Sequence, residues 1–138
     1  MNVEIIPAYS LSASEAKRYR SLSFRDQGRM CEDFTRVREF HPEGRVLSIK
    51  DDSGRILAWA LTWPHRCWDT VQGKHRKMWD FEVYTRVSER RKGYGTALYK
   101  AALTLARKRA NLKVHPSDDT TEFFSKVHNP KPRKVTIR

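Results

Sequence analysis

The sequence predicts a mixed α/β domain built on a mostly antiparallel sheet. Apolar runs of helical and strand period alternate along the chain, and two strand-like runs flank a turn at Asp51-Asp52-Ser53-Gly54. A further strand leads through a glycine turn directly into a long apolar helix. At 138 residues the chain has the length of one domain, 1–138, able to bury its own core.

Residues 2–8 carry Val3, Ile5 and Ile6 before Pro7 and read as a first strand. Ser12 and Glu15 have capping-box spacing and open a helix through about Phe24, which Asp26-Gln27-Gly28 should break. Met30, Phe34 and Val37, at i, i+4 and i+7, give a second helix. RVLSIK and RILAWALTW are the strands of the hairpin. In the second of these, Leu57, Trp59, Leu61 and Trp63 share one face, with Ile56, Ala58 and Ala60 on the other. Both faces are apolar, so this strand should be central and covered twice, with Trp59 and Trp63 in the core.

Pro64 should end that strand, leaving the polar stretch 65–77 as a long loop of the functional kind, with Trp68 and Trp79 beside it. KMWDFEVYTRV is the next strand, and NLKVHP a short one stopped by Pro116. Asp118 or Asp119 should cap a helix TTEFFSKV, and VTIR has room for one last strand.

The chain carries 28 Lys and Arg against 16 Asp and Glu, a formal charge of +12. That excess favours polyanionic partners and repels polycationic acceptors such as polyamines and aminoglycosides. Two cysteines, Cys31 and Cys67, do not make a disulfide framework in a domain of this size. There is no signal-peptide pattern and no apolar run long enough for a membrane span, so the expectation is a soluble cytoplasmic protein with no membrane partner. His65, Cys67 and His75 match no zinc-ligand spacing, and no metal is expected.

The sharpest signal is RRKGYGTALYKAALTLA, residues 90–106. From 96 to 106 only Lys100 is charged, so this helix belongs in the core. A helix start presents unpaired N–H groups and about half a positive charge, which suits phosphate. Gly93 and Gly95 keep the backbone bare there, and Arg90, Arg91 and Lys92 ring it with cations. The composite is an anion cradle for a pyrophosphate. It is not a P-loop, and Leu98 stands where a Gly-x-Gly-x-x-Gly fingerprint needs its third glycine.

The pattern that fits is Arg/Gln-x-x-Gly-x-Gly/Ala between strand and helix, here Arg90, Gly93 and Gly95. With that motif, the order of elements around it, and EFFSKV near the end, the chain resembles the GNAT superfamily of N-acetyltransferases from about Val3 to Val127. The resemblance implies a mixed, mostly antiparallel sheet flanked by about four helices, acetyl-coenzyme A as acyl donor, and direct attack of an amine on its thioester. It implies cofactor contacts at Val83, Tyr84 and Thr85 on the strand and at Arg90, Arg91, Lys92, Gly93, Tyr94, Gly95 and Thr96 in the turn. A backbone N–H at Val83 or Tyr84 would polarise the thioester, and two strands would splay to admit the pantetheine arm, with Pro116 placed to end the pairing.

Three features depart from the family pattern. Phe124 stands where a tyrosine is frequent, His128-Asn129 replaces a usual Gly-Phe, and the C-terminal end is shortened, so a second copy of the chain could complete the sheet as a homodimer.

An alkyl amine of pKa near 10.4 is neutral only to about one part in 10³ at pH 7, so the site must take a proton from the acceptor or bind the rare neutral form. Asp80 and Glu82 share one strand face and both qualify as the base, with Glu82 preferred as the nearer to the expected thioester. Tyr84 and His115 are the candidate acids. The surplus charge in Lys17, Arg18 and Arg20, in Lys74, Arg76 and Lys77, and in Lys131, Arg133 and Lys134 points to an acceptor of acidic character. A protein amine (lysine or N-terminal) ranks first and an RNA-borne amine second, with nucleic-acid contact through the basic surface. The rival from another class is a GNAT-like binding module with weak catalysis.

Overall fold

The computed structural model describes residues 2–27, 33–115 and 120–128. Five strands form one sheet in the order β1-β2-β3-β4-β5: β1 (Glu4–Pro7), β2 (Arg45–Lys50), β3 (Ile56–Asp69), β4 (Lys74–Thr85) and β5 (Leu112–Val114). The first four pair antiparallel with their neighbours, and β5 runs parallel to β4. Helices α1 (Ala13–Gln27) and α2 (Asp33–Phe40) contribute to one apolar cluster, and α3 (Tyr94–Ala106) and α4 (Thr121–Val127) to the other. The mixed, mostly antiparallel sheet with four helices is as the sequence predicts.

The two clusters divide along the period-two alternation of β3 and β4. Trp59, Leu61, Trp63 and Tyr84 pack under Tyr19, Leu22, Phe34 and Val37. Ala58, Ala60, Phe81 and Val83 pack under Leu98, Tyr99, Ala102 and Phe124. Trp59 is fully buried and stacks on Tyr84, with ring centroids 4.7 Å apart. Helix α1 opens with the expected capping box: Ser12 Oγ accepts from Glu15 N–H, and Glu15 Oε1 accepts from Ser12 N–H. The helix runs three residues beyond Phe24, to Gln27.

Three expectations are corrected. Pro64 does not end its strand: β3 continues to Asp69, β4 begins at Lys74, and the long loop of 65–77 is a hairpin arm closed by residues 70–73. The register explains the tolerance. Pairing of β3 with β2 ends at Arg45↔Thr62, so among the described residues Pro64 has a strand partner on one side alone, Trp79 of β4. At the other end of β3 a register shift between Ile49 and Lys50 leaves Ala58 and Ile56 as successive partners. That bulge exchanges the expected faces, putting Ile56 with Trp59 and Leu57 with Ala58. Third, α4 has Thr120 at its N-cap, not Asp118 or Asp119. Those two aspartates, Gly28, Met30, Cys31, Pro116, Asn129, the 131–134 cations and the VTIR segment lie outside the described residues.

Candidate active site

Strand β4 and helix α3 flank a cleft of about 530 Å³. Val83 and Thr85 of β4 line one wall, the turn from Arg90 to Thr96 forms the floor, and Phe123 and Lys126 of α4 form the far wall. The turn takes its shape from two left-handed residues, Arg91 at φ 67° and Gly93 at φ 84°. Such values come at little cost to glycine, whereas Arg91 is strained there. Gly93 is the N-cap of α3, no side chain among the described residues caps it, and Gly93 to Thr96 border the cleft, so the start of the helix lies at the cleft.

The two glycines turn out to serve different ends. A Cβ on Gly93 would meet nothing within 4 Å, so that position borders open space. A Cβ on Gly95 would lie 3.2 Å from the ring of Phe123, so Gly95 lets α4 close on α3. Of the cofactor positions that the resemblance implies, Val83, Thr85, Arg90, Arg91, Gly93, Tyr94, Gly95 and Thr96 all border the cleft. Lys92 itself does not border the cleft; it pairs at 2.7 Å with Glu89, which does, and that contact raises the Lys92 pKa. Tyr84 points to the opposite face, against Trp59. Glu89, Thr120, Glu122, Phe123 and Lys126 also border the cleft and were not anticipated. EFFSKV was legible as a helix, but which of its two phenylalanines faces the cleft depends on how α4 docks. Phe124, the expected tyrosine position, is buried edge-on against Phe81.

The pairing of β5 with β4 ends where this cleft begins. Its register runs Trp79↔Leu112, Asp80↔Lys113 and Phe81↔Val114, then His115 N–H donates to Phe81 O at 3.0 Å. Strand β4 continues to Thr85 along the cleft wall.

On the other face of β4 lie Asp80, Glu82 and Tyr84. The Tyr84 hydroxyl donates to Glu82 Oε2 at 3.2 Å, and Glu82 is half-buried. Asp80 is only 5% exposed and is not the solvent-facing charge that strand position alone suggests. Its Oδ1 lies 2.6 Å from His115 Nε2 and its Oδ2 2.5 Å from His65 Nε2, the latter out of line for a good hydrogen bond. Hydrogen bonding to Asp80 raises the pKa of His115 against the opposing effect of burial. Sequence reasoning named Asp80 and His115 separately and gave His65 no such role.

A family model described as the acetyltransferase (GNAT) family matches residues 10–128. A predicted acetyltransferase from Clostridium acetobutylicum, solved with acetyl-CoA, superposes with a TM-score of 0.74 at 14% identity, covering 99% of this chain and 94% of that one. The ribosomal-protein-alanine N-acetyltransferase of Brucella melitensis biovar Abortus 2308 gives 0.61 at 14% identity, covering 100% and 99%. An aminoglycoside 6'-N-acetyltransferase of Acinetobacter baumannii gives 0.63 at 13% identity, covering 99% and 96%. None of the curated proteins matches the chain. The family match over most of the chain, on a fold shared with these enzymes, makes this protein an acyltransferase and a member of the acetyltransferase (GNAT) family.

Proposed function

We propose that the protein transfers an acetyl group from acetyl-coenzyme A to a primary amine carried by a protein of acidic character. The observation that carries the donor half is the open backbone at Gly93. A left-handed glycine holds the start of α3 against free space, with Arg90 and Arg91 beside it on the cleft. A diphosphate fits that combination of unfenced N–H groups, helix dipole and guanidinium groups. Residues 90–96 would hold the diphosphate, and Val83, Thr85 and Phe123 would line the path of the pantetheine arm. Bound there, the donor supplies an activated acyl carbon. The chain's own contribution is to hold that carbon beside β4 and to draw the acceptor ammonium toward the Glu82 carboxylate on the other face.

The acceptor half rests on charge. A groove of about 560 Å³ beside α1 and the β2–β3 turn is lined by Lys17, Arg18, Arg55 and Arg86. The hairpin arm adds Arg66, Lys74 and Lys77, all exposed. Both surfaces favour an acidic partner and disfavour free polycations. A second reading, an RNA-borne amine, is favoured by Trp68. Its indole is 56% exposed on the arm, across from His75, where a base could stack.

Titration calorimetry with coenzyme A is the direct test of the donor half. Micromolar binding by the wild type and none by Gly93→Asp is the expected pair of results. Equal binding by both would sink the placement. Mass spectrometry of proteins acetylated when acetyl-coenzyme A is added to a cell extract would then rank the acceptors. Acetylated aminoacyl-RNA without acetylated protein would put the RNA-borne amine first.

A further inference from the structure

Three strands bring together three residues far apart in sequence. His65 lies on β3, Asp80 on β4, and His115 immediately after β5. The register accounts for the meeting: Trp63 and Lys113 both pair with Asp80, and each histidine sits two residues beyond one of those partners, on the same sheet face. We propose that this cluster is the proton-accepting site of the acetyl transfer, with His115 the catalytic base and Asp80 the residue that positions it. The proposal rests on the acyl-transfer reading above and goes beyond it by assigning the proton.

A buried carboxylate is costly unless it is paired. Asp80 is paired with imidazoles, the side chains whose charge changes near neutral pH, and not with a permanently charged guanidinium. The contact to Asp80 Oδ1 is made by His115 Nε2, so that nitrogen carries the hydrogen and Nδ1 is left as the accepting atom. The ring is held in place by Trp63, stacked at 5.9 Å and 22°. His115 is a third exposed, on the last rung between β5 and β4 among the described residues, and β4 runs on from there along the cleft with β3 as its partner. It can therefore meet an acceptor that approaches between the strands.

The charged groups around His115 agree with this role. On β4, Asp80 and Glu82 favour its protonated form; on β5, Lys113 disfavours it. His65 on β3 shares the Asp80 carboxylate. The imidazolium formed when the base takes a proton is thus stabilised where it forms.

In the transfer step the acceptor ammonium gives one proton to His115 Nδ1. The freed nitrogen lone pair forms the bond to the acyl carbon, and the carbon–sulfur bond breaks with its electron pair leaving on sulfur. The second nitrogen proton goes to the thiolate, and His115 returns its proton to solvent.

The test compares two probe nucleophiles, each followed by thiol release from acetyl-coenzyme A above the uncatalysed rate. Propylamine is almost wholly protonated at pH 7, whereas hydroxylamine is already neutral and needs no base. His115→Gln should slow transfer to propylamine by roughly 10²- to 10⁴-fold and to hydroxylamine by less than about tenfold. Asp80→Asn should move the acid limb of the propylamine pH profile to lower pH. Equal losses with both probes would mark His115 as merely structural, and no loss would exclude it. If Asp80→Asn fails to fold, His115→Gln and His65→Gln carry the comparison, with His65→Gln expected to move the limb slightly to higher pH, because it removes a competitor for the Asp80 carboxylate. A wild type that releases no thiol with either probe would overturn the acyl-transfer reading itself. Transfer that survives in His115→Gln would overturn only the assignment of the base.

Discussion

The two faces of β4 are built by different means. Toward α3, the cleft floor is one continuous stretch, residues 90–96, whose shape is set by backbone torsions at Arg91 and Gly93. Toward α1 and α2, the polar cluster is assembled from His65, Asp80 and His115, on three strands, by side chains alone. A site made from one short segment can be read as a motif. One made by strand register has no local spelling, and its parts look unrelated until the sheet is formed. The difference also predicts how each should fail: the turn by losing a ligand, the cluster by losing its response to pH.

The largest effect should come from the turn. Gly93→Asp should lower coenzyme A affinity at least 100-fold by calorimetry, because it adds an anion at the open end of the helix. Gly93→Ala separates conformation from charge. With no clash to relieve, it should cost about 1–2 kcal/mol in denaturant unfolding for the left-handed φ alone. Coenzyme A affinity unchanged in Gly93→Asp, whatever its loss of stability, would show that the turn is only structural.

Asp80→Ala should cost about 1–3 kcal/mol, since it strips His115 of its hydrogen-bond acceptor and His65 of the carboxylate beside it. The pH dependence has a definite sign. His115 binds its proton more tightly when folded than when unfolded, so its contribution is fully present below the unfolded value of 6.5 and is lost as pH rises through the raised folded value. The gap between wild type and Asp80→Asn should therefore narrow as pH increases. His128, lowered by burial, acts oppositely in both proteins and cancels in the difference. A gap that widens with pH would contradict the cluster as described.

A smaller effect should distinguish the two glycines. Gly95→Ala sets helix propensity against contact with the Phe123 ring 3.2 Å away, and its net cost should fall within about 1 kcal/mol. In a Phe123→Leu background the same change should become favourable, and the double-mutant cycle should show about 1 kcal/mol of coupling. Additivity would mean that the ring gives way freely. The smallest change is expected from Trp68→Ala, within about 0.5 kcal/mol in stability because the indole is exposed. Its effect belongs in binding: weaker retention of the acceptor at low salt, measured by co-purification.

Much of the architecture was legible in short patterns. The Ser12–Glu15 box, the Asp51–Gly54 turn and the doubly apolar β3 each appear where expected, because local hydrogen bonding and period-two burial are written in neighbouring residues. Pro64 misled because its meaning depends on whether a strand lies beside it, and β2 has already ended there. The faces of Ile56 and Leu57 depended on a bulge that no spacing announces. Phe123 and Phe124 are adjacent and alike in sequence. Only the docking of α4 put one into the cleft and the other beneath Phe81.

By itself the sequence determined the order of the sheet's strands, the glycine turn before α3 and the excess of positive charge, since each follows from torsional freedom, periodicity or a count. The tertiary structure decided which glycine opens to space and which admits a neighbouring ring, and it turned an ordinary strand aspartate into a buried partner of two histidines. Those outcomes depend on what another segment brings within a few ångströms, and a chain read one residue after another contains no such distances.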